Sequence, residues 1–289
     1  MTSRVVYTAL FGEHEALLEQ PSARTSDIRF ICFTDNGGLT SQSWEIVLCS
    51  PLFTADPRRS QRDIKIRGHA ELQKFDQWLY IDNTVLLKSA PDEILDEWLA
   101  GVDWAAFRHD RHESTWEEFE ANLFAHKDTD DRIYEQLHDY SAHHGPVLDQ
   151  APLWNGFFAR SNNEAVRSFT ELWFDHVCRY SARDQLSVMV ALAQRPVTLN
   201  VLSGSARGSR WHSWPHRRGE NSTGKAARRA RTHGLKSLAE ELLAARGALT
   251  ESEREIVRLQ DARWWGIAGW LRRMRERRRE WNRTKKRDH

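Results

Sequence analysis

The chain has 289 residues, 40% of them hydrophobic, and a formal net charge of +1. That length is enough to bury a proper core and permits one large domain or two small ones. No run of eighteen uncharged apolar residues is present, which excludes a membrane-spanning helix.

The first strand is predicted over residues 5–11. Val5-Val6-Tyr7-Thr8-Ala9-Leu10-Phe11 is too short for a signal region and lacks a cleavage site. Further strands are expected at residues 28–34, 44–48, 78–81 and 104–107. A helix is expected at 91–99, entered by Ser89 with Asp92 three residues on, a capping-box-like start. Residues 116–126 and 131–140 place apolar side chains at helical spacing, the first through Trp116, Phe119, Leu123 and Phe124. Residues 156–160 read as a strand, 164–177 and 184–193 as helices, and 197–201 as a final strand. His143-His144-Gly145 reads as a loop. This alternation argues for a layered α/β domain over residues 1–203. The three cysteines, Cys32, Cys49 and Cys178, are odd in number and widely spaced, and they read as buried free thiols of a reducing cytosol.

The second region, residues 204–289, differs in composition. Residues 203–209 and 217–231 are rich in Gly, Ser and Arg and read as loop or linker. Helices are expected at 235–245 and from Thr250, where Glu253 completes a capping box. Residues 1–203 carry 19 Lys and Arg against 31 Asp and Glu, a net of −12; residues 204–289 carry 23 against 10, a net of +13. A basic extension on an acidic body favours an anionic partner: a membrane surface, a nucleic acid or the body itself. At helical spacing Trp264, Ile267, Trp270, Leu271, Met274 and Trp281 share one broad face, with Arg around it. That suits a helix lying on anionic lipid, and equally one docked on the body. Nucleic acid is the less favoured partner, and the expected location is cytoplasmic, peripheral at the inner face of the membrane.

Chemistry is concentrated at strand ends. Gln77-Trp78-Leu79-Tyr80-Ile81-Asp82-Asn83-Thr84 runs from apolar, β-favouring residues into one carboxylate and two small polar groups. Ligands of open α/β sheets bind beyond the carboxyl ends of strands, and an Asp there can hold a divalent cation that bridges to phosphates. The plainer reading is that Asp82 caps a turn. Thr8, Ala9 and Phe11 at the end of the first strand, and Asp35 at the end of the second, are candidates for a nucleotide base and ribose; Asp35-Asn36-Gly37-Gly38 also reads as a simple turn. Arg59, Arg62 and Lys65 sit three apart, so a helix would bring them near one face, where they could neutralise a diphosphate or form a solvated surface. Asp184, flanked by Arg183 and Gln185, is a helix cap or a group that binds a sugar hydroxyl or takes a proton. Trp154 and Asn155 suit a sugar ring and equally a core. His212 is a weak candidate metal ligand, with exposure the favoured reading for it and for His216. The nucleotide-binding pattern GxGxxG and the P-loop lysine motif are both absent from the sequence.

The ordered set Tyr7-Thr8-Ala9-Leu10-Phe11-Gly12, Cys32-Phe33-Thr34-Asp35, Arg59…Arg62…Lys65…His69, Trp78-Leu79-Tyr80-Ile81-Asp82, Phe107-Arg108-His109 and Arg183-Asp184-Gln185-Leu186-Ser187 resembles the turgor-regulation-defect/mucilage-related glycosyltransferase-like domain family. The resemblance implies a GT-A-type nucleotide-sugar-binding domain with a mixed, mostly parallel sheet, followed here by the helical basic extension. It implies sugar transfer from a nucleotide diphosphate donor, a UDP-sugar favoured, to a glycan or lipid-linked acceptor, with Mn²⁺ or Mg²⁺. It places Asp82 at the metal-diphosphate position, Arg59, Arg62 and Lys65 around the donor, and Asp184 near the reaction centre. A two-acid D-x-D is missing, because Thr84 stands where the second acid would be. The alternative is a non-catalytic module of the same fold that binds anionic lipid or RNA through its tail.

Overall fold

The computed structural model describes residues 2–12, 16–214, 236 and 238–258. The chain divides into two compact units, residues 1–236 and 237–289. Composition puts a boundary after residue 203. Residues 204–214 nevertheless lie in the same unit as the sheet, because a short strand in that segment pairs with the body.

The first unit is built on a seven-stranded sheet. In chain order its strands are β1 (Arg4–Leu10), β2 (Arg29–Thr34), β3 (Glu45–Leu48), β4 (Gln77–Ile81), β6 (Trp104–Arg108), β7 (Leu153–Ser161) and β8 (Leu199–Leu202). The spatial order is β3-β2-β1-β4-β7-β6-β8. Every neighbouring pair is parallel except those of β7, which runs antiparallel to β4 and β6. The sheet is therefore mixed and mostly parallel, as expected. A separate ladder joins β5 (Leu86–Leu87) to β9 (His212–Ser213).

Helices cover both faces. Side chains alternate along β1: Val5, Tyr7 and Ala9 pack on one face, Val6 and Leu10 on the other. The first face is covered by α1 (Pro57–Ile66), α5 (Glu164–Arg179) and α6 (Val188–Gln194), through Ile64, Phe169, Trp173 and Ala191. The second is covered by α2 (Pro91–Trp98), through Ile94, Leu95 and Trp98. The remaining helices, α3 (Thr115–Phe124) and α4 (Asp130–Leu148), pack on each other. Burial on both faces explains why the strands read as nearly continuous apolar runs. The three cysteines are free.

Several boundaries differ from the sequence reading for local reasons. The predicted 184–193 helix is a 3-10 turn, Asp184–Leu186, followed by α6; Ser187, with φ −113°, separates them. Ser89 does not cap α2, whose N-cap is Ala90; its hydroxyl donates to Arg210 O instead (3.2 Å). The expected His143-His144-Gly145 loop is a kink inside α4, at His144. In the second unit residues 238–258 form one helical run, all of it exposed or partly exposed. Thr250 does not start a new helix there, because its hydroxyl donates back to Arg246 O (3.0 Å). The 217–231 linker, His216 and the face from Trp264 to Trp281 lie outside the described residues. Among the described residues no helix is long and apolar enough to cross a membrane.

Gly68 fixes how α1 meets the sheet. It follows the helix with φ +85°, and a Cβ there would overlap the Trp78 ring and stand 3.0 Å from Arg160 Nη2. Arg160 is itself buried under that ring, with its guanidinium 4.1 Å from the Trp78 centroid. Gly68→Ala is expected to destabilise the protein by at least about 2 kcal/mol, from left-handed backbone strain and overpacking together. The urea midpoint measures it; an unchanged midpoint would contradict the packing described.

Candidate active site

Four strand ends meet at one edge of the sheet. Ile81 pairs with Phe157 and Phe107 with Trp154. Antiparallel β7 thus delivers its first residues where β4 and β6 deliver their last. A cleft of about 1860 Å³ opens there. It is lined by Ala9 near the end of β1 and Phe11 just after it, by Arg59, Arg62 and Lys65 of α1, and by Asp82 after β4. Trp154 and Asn155 of β7, and Arg183, Asp184 and Gln185 beyond α5, complete the predicted residues that line it. Helix α1 forms because Asp56 accepts from Arg59 N (2.9 Å) as N-cap and Pro57 opens the first turn. The three-residue spacing then turns Arg62 and Lys65 toward the strand ends.

A chain of charges runs through this cleft. Asp184 is buried, with Oδ1 3.3 Å from Arg62 Nε and Oδ2 2.8 Å from Lys65 Nζ. Lys65, also buried, reaches Asp82 Oδ1 at 3.5 Å. The Tyr80 hydroxyl donates to Asp82 Oδ1 (2.6 Å) and accepts from Gln61 Nε2 (2.8 Å). Burial, then the charge of Asp82, push the Tyr80 pKa well above 10, so the phenol remains a donor. Burial alone would raise the Asp184 pKa. The Arg62 and Lys65 cations outweigh it and hold the carboxyl well below the usual carboxylate range. A carboxylate so held is a poor proton acceptor near neutral pH; what it does is fix two cations in place. Arg183 adds a third cation, its Nε donating to Asn122 Oδ1 (3.0 Å) and its Nη2 to Gln185 Oε1 (3.2 Å). Arg62, Lys65 and Arg183 gather their charge around Asp184 and Asp82 at the strand ends, whereas the cleft lining as a whole carries eight cationic and eight acidic side chains.

Other expected residues fall elsewhere. Thr8 is fully buried within β1 and does not line the cleft, because it lies one position short of the strand-end residues Ala9, Leu10 and Phe11 that do. Asp35 is exposed outside the cleft and accepts from Gly12 N (3.1 Å), which makes it a turn-closing group. Arg59 lines the cleft, but its guanidinium donates to Val177 O (3.1 Å) and Tyr180 O (2.8 Å) at the end of α5 and to Asp56 (2.5 Å). It ties α1 to α5, a cation at a helix C-terminus. His212 is buried rather than exposed: Nδ1 meets Ser209 Oγ (2.9 Å), Nε2 meets Ala206 O (3.0 Å), and the ring stacks on Trp154. Neither nitrogen is left for a metal.

Asp82 was the expected metal position, and the side chains around it add little to its one carboxylate for holding Mn²⁺ or Mg²⁺. Those hard cations need several oxygen ligands. One Asp82 oxygen already faces Lys65 and the Tyr80 hydroxyl. The Asn83 side-chain amide donates to Ala16 O (3.0 Å), and Thr84 Oγ1 accepts from Trp214 Nε1 (3.1 Å). The ammonium of Lys65 occupies the role a cation would take.

The structure also brings in residues that sequence reasoning left without a role. Trp214 is half-buried, packs on Trp154 with ring centroids 5.5 Å apart, and lines the cleft. Trp154 is buried beneath it, so the outer ring of the aromatic pair is Trp214. The Asn155 side-chain nitrogen is buried without a hydrogen-bond partner at the cleft wall. His109, His112 and Glu118 form a compact group on the same wall. The two imidazoles stack with centroids 4.4 Å apart, and His112 Nδ1 bonds Glu118 Oε2. Their signal in the sequence is a strand end followed within ten residues by two histidines and a glutamate, a non-helical spacing easily passed over.

Comparison with known proteins agrees with the family resemblance. Over 154 residues the chain is 29% identical to the probable hexosyltransferase MUCI70 of Arabidopsis thaliana. The match takes in 50% of this chain and 26% of that protein, so the chain spans about a quarter of the curated relative's length. Among solved structures it is similar to core-mannan synthase A of Aspergillus fumigatus in its Mn/GDP form, at 10% identity and TM-score 0.36, covering 66% of this chain and 70% of that one. It is also similar to the apo bifunctional glycosyltransferase WbbM, at 11% identity and TM-score 0.41, covering 70% and 39%. At these scores the structural likeness fixes neither mechanism nor ligand. The family model for the TOD1/MUCI70 glycosyltransferase-like domain matches residues 2–208, and the chain belongs to that family.

Proposed function

We propose that the protein transfers a glycosyl group from a nucleoside diphosphate sugar to an acceptor hydroxyl, on a glycan or a lipid-linked sugar. The observation that carries this reading is the Arg62–Asp184–Lys65–Asp82 chain at the carboxyl ends of the parallel strands. As the acceptor oxygen bonds the anomeric carbon, the bond to the diphosphate breaks, its electron pair leaves with the nucleotide, and the acceptor's hydroxyl proton passes to the departing diphosphate or to water. Charge builds on the diphosphate, and Arg62 and Lys65, held beforehand by Asp184, stabilise it with little reorganisation. The unpartnered Asn155 nitrogen suits a sugar hydroxyl, and the Trp214 ring on Trp154 suits the apolar face of a sugar.

No step is routed through a metal at Asp82, because Lys65 stands there. A panel of UDP-, GDP- and CMP-sugars, with and without Mn²⁺, tests the reading. One nucleotide class is expected to raise the melting temperature and to release free nucleotide on incubation. If no member of the panel binds or turns over, the assignment fails.

A further inference from the structure

We propose that His109, His112 and Glu118 form a site for a divalent cation of the zinc class, on the cleft wall and separate from Asp82. One donor atom from each residue lies within 4.8 Å of the others. His109 Nε2 is 3.9 Å from Glu118 Oε2, the same oxygen that meets His112 Nδ1. Two imidazoles and one carboxylate are the protein ligands of open zinc sites, which keep a coordination position for an exogenous ligand. Imidazole favours zinc, cobalt and nickel over magnesium.

The three residues are held by rigid parts of the fold. His109 directly follows β6, His112 lies in the next turn, and Glu118 sits in the first turn of α3. Glu118 is 3% exposed, a buried carboxylate that needs compensation. Asn122 Nδ2 donates to its Oε1 (2.7 Å) and to its main-chain O (2.8 Å), which turns Oε2 toward the imidazoles. Such outer partners orient ligands in metal sites. Ligation through His109 Nε2 places the ring proton on Nδ1. The 3.3 Å contact from Arg111 N to that atom must therefore give way on binding.

All three residues line the cleft that holds Asp184 and Lys65. An open position on the cation would face the same space, ready for a phosphate or hydroxyl oxygen. The cation site does not depend on the glycosyltransferase reading, since it is tested without any nucleotide.

The test uses the untagged full chain, stripped with EDTA and titrated with Co²⁺, whose visible absorption reports histidine coordination, and then with Zn²⁺ in competition. Expected is one high-affinity equivalent per chain, displaced by Zn²⁺ and not by excess Mg²⁺. Binding is expected to be abolished in His112→Ala and Glu118→Gln, and weakened about 10–100-fold in Asn122→Ala. His109→Gln, at the least buried of the three side chains (11% exposed), serves as the variant least at risk of misfolding, and circular dichroism checks every variant. Asp82→Asn should bind cobalt as the wild type does. An absent cobalt band in the wild type, a band that persists in folded His109→Gln and Glu118→Gln, or one lost in Asp82→Asn would each overturn the proposal. The group would then be a hydrogen-bonded His112–Glu118 pair with a stacked neighbour.

Discussion

Asp184→Ala is expected to lower the unfolding free energy by about 3–5 kcal/mol at neutral pH, the range for breaking a buried ion pair by removing one partner. The substitution leaves Arg62 and Lys65 facing each other across a buried space, with Asp82 as the nearest remaining carboxylate. The sign of its pH dependence follows from the lowered pKa. The unfolded carboxyl titrates near 3.8 and the folded one below that. The wild-type advantage is therefore fully present above about pH 5, begins to fall as the pH drops through the unfolded value of 3.8, and is gone below the folded value. Urea unfolding of both proteins from pH 7 down to pH 3 measures it. A constant gap across that range, or none at pH 7, would show that Asp184 does not hold the two cations.

Lys65→Met should have the largest effect on turnover. Methionine preserves much of the stem's packing and removes only the charge. Loss of one preorganised donor aimed at developing charge typically lowers kcat about 10²–10³-fold, and the same loss is expected in release of nucleoside diphosphate from the donor sugar. Binding of the intact donor should weaken less, because charge on the leaving group grows toward the transition state. Lys65 also contacts Asp184 and Asp82, so the melting temperature must show the variant folded under assay conditions. A folded variant with unimpaired turnover would remove Lys65 from the site.

The sheet was legible because its strands are buried on both faces. Residues 5–11, 28–34 and 78–81 read as apolar runs, and β1, β2 and β4 occupy nearly those spans. The spacing of Arg59, Arg62 and Lys65 said only that a helix would bring them near one face; α1 is that helix, and it carries the two cations that meet Asp184. Chemical type alone could not say which cation does what. Arg59 and Arg62 look alike in sequence, yet the end of α5 captures Arg59 through two carbonyls. Asp35 and Asp82 both end strands, but only Asp82 borders the cleft. Thr8 and Ala9 are adjacent, yet only Ala9 is near enough to the strand end to border the cleft. The reversal of β7 was invisible, since an apolar run carries no direction, and that reversal brings Trp154 and Asn155 to the rim. His212 was expected to be exposed, whereas the β5–β9 ladder folds it inside.

The central claim is that one cleft at the strand ends gathers Arg62, Lys65 and Asp184 around the diphosphate of a sugar donor. A crystal structure with the nucleoside diphosphate that most raises the melting temperature tests it most directly. β-Phosphate oxygens are expected within about 2.7–3.2 Å of Arg62 and Lys65 nitrogens, between Asp82 and Asn155. A nucleotide bound away from α1, with the Arg62–Asp184–Lys65 group undisturbed and facing only solvent, would contradict it.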